Sequence, residues 1–255
     1  MPVQKKSSPP SFWEKLDPFY YVDAHLMPIL NPWDNAALSW IIYLAFSFIF
    51  AFALYSGIGF LLQTASPLVI VVSGSMLPTM ARGDVVLLHG VSGAELNVQE
   101  VVLDGVDVSK TSLQDLATIQ PLGNGVWQLT FKSTNQSIQI PKQGTSDIVV
   151  YVSKQRGIEI IHRAVAKIRS NGKYYLLTKG DNNLSLDQDC GKVDEAIPGL
   201  ISTQKLCPSP YPISMELVKG KALGWLPYVG YVKLFLFDDL PSLLSGKKVM
   251  GFPFV

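Results

Sequence analysis

The sequence predicts a mostly β protein: an antiparallel β-sheet domain behind a single N-terminal transmembrane helix. Three observations predict it. From Asn35 to Ala81 there is no Asp, Glu, Lys or Arg. Beyond that stretch come short runs rich in β-branched residues and bounded by Gly, Asn, Asp or Pro, the texture of strands. One pair of runs is separated by Asn171-Gly172, the strongest short-range signal for a β-hairpin.

Residues 1–37 are expected to form a cytoplasmic or interfacial segment. Five prolines between Ser7 and Asp34 argue against a long helix, and Trp13, Phe19, Tyr20, Tyr21 and Trp33 suit a headgroup layer, where amphipathic aromatics collect. A loose polar tail explains the same residues. Residues 38–63 are the predicted membrane helix. Its core, "LSWIIYLAFSFIFAFALYSGIGFLL", would span roughly 38 Å at ~1.5 Å per residue, against a bilayer core of about 30 Å. A cleaved leader is excluded, since its apolar region would be about 7–15 residues long and nearer the N-terminus. Lys5, Lys6 and Lys15 all lie well before the helix, so basic residues do not set its orientation.

Residues 64–255 are the predicted β domain. Its strands are "PLVIVVSGSM", "DVVLLHGV", "VWQLTF", "SIQIP", "DIVVYV", "IEIIHRAVAKI" and "KYYLLTK". The tail from Tyr231 has no uncharged run long enough to span, because Asp238, Asp239, Lys247 and Lys248 interrupt it, and is expected on the domain or at the interface. Only 16% of the chain is charged, against about 25% in average usage, and mean hydropathy is +0.25. A net charge of +1 gives no basis for a nucleic-acid partner, and no cofactor or metal is expected. Cys190 and Cys207 can pair in an oxidising compartment or remain thiols.

Chemistry has few candidates. The histidines are His25, before the helix, His89, beside Gly90 in a turn, and His162, on the first strand of the predicted hairpin. A serine needs a base to accept its proton and a third group to orient that base. The acids downstream are Asp181, Asp187 and Asp189 in "GDNNLSLDQDC", and spacing alone does not select among them.

"SGSMLPTMARGD", "IIHRAVAKI", "LLTKGDNN…D" and "GKALGWLPYVGYV" follow the membrane helix in this order. Together they resemble the sequence boxes of type I signal peptidases, in the variant of archaea and of the catalytic subunits of the endoplasmic-reticulum complex. The resemblance covers about Leu38 to Leu234. It implies an antiparallel catalytic sheet of signal-peptidase type. It implies Ser75 as nucleophile, before Met in the SxSMxP motif, and His162 as general base where bacterial members carry Lys. Ser73 and the backbone N–H of Ser75 would form the oxyanion hole. Asp181 matches the GDNN acid and Asp187 the second acid; Asp187 is the preferred triad member, with the two roles open to exchange.

The chain departs from the family at Leu77, where an acid is common, and in the register of the second acid, since Asp189 follows Asp187 by two residues. The stretches 91–156 and 188–216 are longer than in compact members. The implied activity is membrane-bound serine endopeptidase: removal of signal peptides from exported preproteins after small residues. Substrate would add a strand beside "PLVIVVSGS", with one alternate face among Ile70, Val71 and Val72 lining shallow pockets and the rest in the core. The expected partners are preprotein signal peptides, the lipid bilayer, and accessory membrane subunits or the translocation machinery. The expected location is the cell or endoplasmic-reticulum membrane, with the β domain extracytoplasmic. Sequons occur at Asn135 and Asn183; a glycan on Asn183 would crowd the site, so Asn183 is expected unmodified. Two other readings compete. One is a non-catalytic membrane-anchored β domain, an accessory or binding subunit. The other is a Ser-Lys enzyme using Lys167 or Lys179.

Overall fold

The computed structural model describes residues 11–190 and 207–245. Of the two long inter-box stretches, 191–206 therefore lies outside the described residues, as do Lys5, Lys6, Lys247 and Lys248. The chain forms two compact units, Met1–Ile58 and Gly59–Val255.

The first unit is helical. Asp17 caps a turn at Pro18–Tyr21 by accepting from the Phe19 N–H at 2.9 Å, and helical turns continue through Val22–Leu26 and Met27–Leu30. The prolines thus do not stop the chain from winding, contrary to the sequence expectation. The physical reason is a π turn at Val22–Leu26, which widens the ladder just where Pro28 lacks an N–H and its ring would crowd the preceding turn. Asn35 then caps the long helix Ala36–Leu61, accepting from the N–H groups of Ala37 and Leu38. This is the one helix among the described residues long and apolar enough to cross a membrane. Its apolar side chains are exposed on every side, Trp40, Phe48 and Phe52 among them, as expected where lipid is the solvent. Phe19 packs edge-on against Phe46, and Asp23 accepts a hydrogen bond from the Tyr43 hydroxyl.

The described residues of the second unit form eleven strands: β1 Leu68–Ile70, β2 Val85–His89, β3 Glu100–Val102, β4 Ala117–Gly123, β5 Val126–Phe131, β6 Ser137–Ile140, β7 Ile148–Ser153, β8 Ile158–Ser170, β9 Lys173–Lys179, β10 Ile213–Ser214 and β11 Val218–Leu226. The main sheet runs β1-β2-β11-β7-β8-β9-β10, and β4-β5-β6 form a separate three-stranded sheet inside the long 91–156 stretch. Pairing is antiparallel except for β3 with β8. The Asn171-Gly172 hairpin joins β8 to β9 with both residues at positive φ, 49° and 75°.

Strand β8 is 13 residues long and changes partner midway. Its first half pairs with β7 up to Arg163, and its second half pairs with β3 from Lys167. A bulge between Ala164 and Ala166 bends it there. The second half closes a core with the small sheet, around Phe131, Leu129, Ile140, Ile168 and Leu177. The first half lies between two other clusters. Ile161 faces Met76, Met80 and Val86, while Ile160 and Ala164 face Val149, Leu176 and Tyr151.

The residues that follow the long helix are bonded within this unit. The Gly90 N–H donates to the Leu62 carbonyl at 2.8 Å, and the Thr64 hydroxyl to the Lys219 carbonyl at 2.8 Å. Position 90 must be glycine, since a Cβ there would stand 1.9 Å from the Gln63 carbonyl oxygen. The described part of the tail, Tyr231–Leu244, folds back on the domain, where buried Asp239 takes both guanidinium nitrogens of Arg82, at 2.7 and 3.2 Å.

Candidate active site

Ser75 sits in the loop between β1 and β2, and both ends of that loop are fixed. Val71 exchanges hydrogen bonds with Asp84 and Gly83 at its base, and Met76 and Met80 are buried in the core beneath it. The Gly180–Asn183 turn after β9 holds the serine's backbone from the other side. The Asn182 N–H donates to the Ser75 carbonyl at 2.8 Å, and the Asn182 side chain to the Gly74 carbonyl at 3.2 Å. A Cβ on residue 180 would lie 2.7 Å from that Ser75 carbonyl oxygen, which is why glycine opens the turn.

His162 lies on β8, opposite Val149 of β7, and is 5% exposed. Its Nε2 stands 3.0 Å from Ser75 Oγ and its Nδ1 stands 2.6 Å from Asp187 Oδ2. An ionised carboxylate only accepts, so Nδ1 carries the proton and the Nε2 lone pair faces the serine hydroxyl. Ser73 Oγ is 3.2 Å from Ser75 Oγ. The structure therefore joins Ser73, Ser75, His162 and Asp187 in one continuous set of hydrogen bonds.

Asp187 is 2% exposed, and its Oδ2 also accepts from the Tyr151 hydroxyl at 2.9 Å and the Thr178 hydroxyl at 2.6 Å. Sequence reading had not singled out Tyr151 or Thr178; both sit inside apolar strands where a hydroxyl looks like part of the core. Burial pushes the Tyr151 phenol well above its ordinary range, and the Asp187 charge pushes it further, so it remains a donor.

Asp181 is elsewhere. Its carboxylate takes Arg163 Nε at 2.8 Å and Nη2 at 2.7 Å, and accepts from the Thr79 hydroxyl at 2.5 Å. Asp189 is exposed and accepts from Gln114 at 3.2 Å, whereas Asp187 is the acid bonded to His162. The lysines also lie apart from the serine. Lys167 Nζ donates to the Ala94 and Leu96 carbonyls, and Lys179 Nζ to those of Lys142 and Gly180. Burial lowers the Lys179 ammonium below its usual range.

A groove of about 860 Å³ runs past Ser75 and His162. Ile70 and Val72 line it, with Val69, Ile158 and Leu184. Val71 does not: it is 1% exposed and packs with Met76 and Val86. Of the three candidates, Ile70 and Val72 thus border the groove while Val71 turns into the core. Cys190 and Cys207 form a disulfide, with Cα atoms 5.1 Å apart, and both border the groove. Asn183 borders it too, whereas Asn135 is exposed between β5 and β6. A larger cavity of about 1120 Å³, between Ser112, Lys173 and Tyr211, contains none of the catalytic candidates.

No protein-family model matches the chain. Curated relatives do. The signal peptidase complex catalytic subunit SEC11 of Metarhizium robertsii is 27% identical over 203 residues, 79% of this chain and 81% of that one. The corresponding subunit of Sclerotinia sclerotiorum is 27% identical over 188 residues, 74% of each chain. That of Candida tropicalis is 26% identical over 197 residues, 77% of this chain and 81% of its own.

Proposed function

Starting from that similarity to signal peptidase catalytic subunits, we propose that the chain is a membrane-anchored serine endopeptidase that removes signal peptides from exported preproteins by cutting after small residues. The observation that carries this reading is the Ser75–His162–Asp187 hydrogen-bond chain, held beside an open sheet edge.

Among the described residues, strand β1 pairs on one side only, with β2. Pro67 and Val71 bond toward β2, so the alternate main-chain groups of Leu68, Ile70 and Val72 point off the edge. An extended substrate pairs there and is delivered to Ser75 a few residues on. As Ser75 Oγ attacks the scissile carbonyl, His162 Nε2 takes its proton and Asp187 stabilises the resulting imidazolium. The oxyanion is held by the Ser75 N–H and the Ser73 hydroxyl. His162 then gives the proton to the leaving amine, which departs and leaves an ester on Ser75. Water, deprotonated by the same nitrogen, cleaves the ester and restores the serine. Ile70 and Val72 narrow the groove, which excludes large side chains by contact.

The membrane helix fits this chemistry. A signal peptide's apolar core lies in the bilayer, so its scissile bond emerges at the surface. Ser75 follows the helix with only one short strand between them, and tethering raises the encounter rate without new contacts. In this reading the helix spans the cell or endoplasmic-reticulum membrane, residues 1–37 are cytoplasmic and the β domain is extracytoplasmic, where the Cys190–Cys207 bond persists. Accessory subunits are expected partners, as the names of the relatives describe complexes.

The test is cleavage of a model preprotein by the purified chain in detergent or liposomes. Wild type should cut after a small residue, and Ser75→Ala and His162→Ala should abolish the cut. A folded wild-type chain no faster than Ser75→Ala, alone or with accessory subunits, would overturn the enzyme reading in favour of a binding module.

A further inference from the structure

We propose that Tyr151 and Thr178 are positioning residues for this reaction: together they hold the Asp187 carboxylate in the one orientation that presents Oδ2 to His162 and set how strongly it stabilises the imidazolium. The proposal rests on the catalytic reading above.

The geometry begins with register. Val149 of β7 stands opposite His162 of β8, and Ala164 of β8 stands opposite Thr178 of β9. Side chains directly opposite share a face, as do residues two apart on one strand. Tyr151, His162 and Thr178 therefore present one side chain each from three adjacent strands to the same face. All three converge on a single oxygen, at 2.9, 2.6 and 2.6 Å. A carboxylate bonded to histidine alone can rotate about its last torsion. Three donors from three strands leave it no second orientation.

Thr178 is itself oriented. Buried Gln188 accepts from the Thr178 N–H at 3.0 Å and donates to its hydroxyl at 3.4 Å. That donation leaves the Thr178 hydroxyl proton for Asp187. The Asp187 N–H in turn donates to the Thr178 carbonyl at 2.9 Å, so backbone and side chain of the acid are referred to the same residue.

The electrostatic consequence has a sign. Hydrogen bonds to a carboxylate stabilise its ionised form and share out its charge. Removing one leaves more of that charge facing His162, which favours the imidazolium. The acidic limb of the kcat/KM profile should then move to higher pH, while plateau kcat falls because orientation is lost.

The experiment compares wild type, Ser75→Ala, Tyr151→Phe, Thr178→Val and Thr178→Ser of the full chain in detergent, cutting a model preprotein across pH, with Tm measured for each. Tyr151→Phe and Thr178→Val should each lower kcat about tenfold with KM unchanged, the low end of the effect of outer hydrogen-bonding partners in metal sites. Both should shift the acidic limb upward, and Thr178→Ser should restore the wild-type profile. Should Tyr151→Phe not fold, the Thr178 pair carries the test alone. Variants with wild-type kcat and pH profile overturn the proposal, and so does a loss that follows Tm with the acidic limb unmoved. If wild type cuts no faster than Ser75→Ala, the catalytic reading fails and this proposal with it.

Discussion

His162 and Arg163 are neighbours on β8, so their side chains leave the strand on opposite faces. Each meets one of two aspartates lying six residues apart in the "GDNNLSLD" segment: His162 meets Asp187, and Arg163 meets Asp181. Both carboxylates are 2% exposed, yet their partners make them different devices. The guanidinium is always charged and grips Asp181 with two nitrogens, while Thr79 closes the pair from the nucleophile loop. That site ties the serine's loop to the sheet. The imidazole can both accept and donate a proton, and its second nitrogen faces Ser75. Two equally buried aspartates thus differ by their partners: a fixed guanidinium for Asp181, and for Asp187 an imidazole that also faces a serine.

The comparison can be broken at either end. The largest effect is expected from Asp187→Asn, which removes the negative charge that stabilises the imidazolium and lets an amide N–H compete for the histidine nitrogen. It should lower kcat by about 10⁴ with little change in Tm. Asp181→Asn should do the reverse. It leaves Arg163 buried beside a neutral partner, so stability should fall by about 3–5 kcal/mol in thermal or denaturant unfolding. Cleavage per folded molecule should stay within about tenfold of wild type, since no reacting atom has been touched. Equal losses of kcat at unchanged stability in both variants would erase the distinction.

Smaller changes sharpen it. The loop carrying Asp187 is stapled by a disulfide of sequence separation 17, whereas Asp181 has no covalent brace. Cys190→Ser with Cys207→Ser should cost about 3 kcal/mol of unfolding free energy, read as a lower Tm under non-reducing conditions. Thr79→Val takes one of three donors from Asp181 and leaves the arginine fork intact. About 1 kcal/mol of stability should be lost, with kcat unchanged, because the Asn182 bonds to the Gly74 and Ser75 carbonyls still hold the serine's loop.

Much of this was legible in the sequence. The seven strands read from β-branched runs all exist, and Asn171-Gly172 turns the hairpin that carries His162. The strands that escaped reading lack the usual signal. Glu100–Val102 is three residues long and parallel to its partner, Ala117–Gly123 contains Pro121, and Val218–Leu226 mixes two glycines with two lysines. The candidate residues were readable from boxes, with Asp187 preferred as the triad acid, but exchange of roles between Asp181 and Asp187 stayed open. Asp181 and Asp187 are equivalent in one dimension, and only the turn at Gly180–Asn183 sends them to different partners. Val71 stayed open for a related reason: alternation shows that neighbours face opposite ways, not which way is inward.

Strand β1 has one further consequence. A bare strand edge accepts any extended chain, including another copy of the same protein or an unfolded neighbour, and so invites aggregation. Here that edge is three residues long and is followed directly by the tightly held Ser75 loop. If substrate docks there as proposed, three residues suffice to align a peptide for cutting and offer little to retain either product or to seed a stack of copies. In that reading the brevity of β1 favours release once the bond is broken.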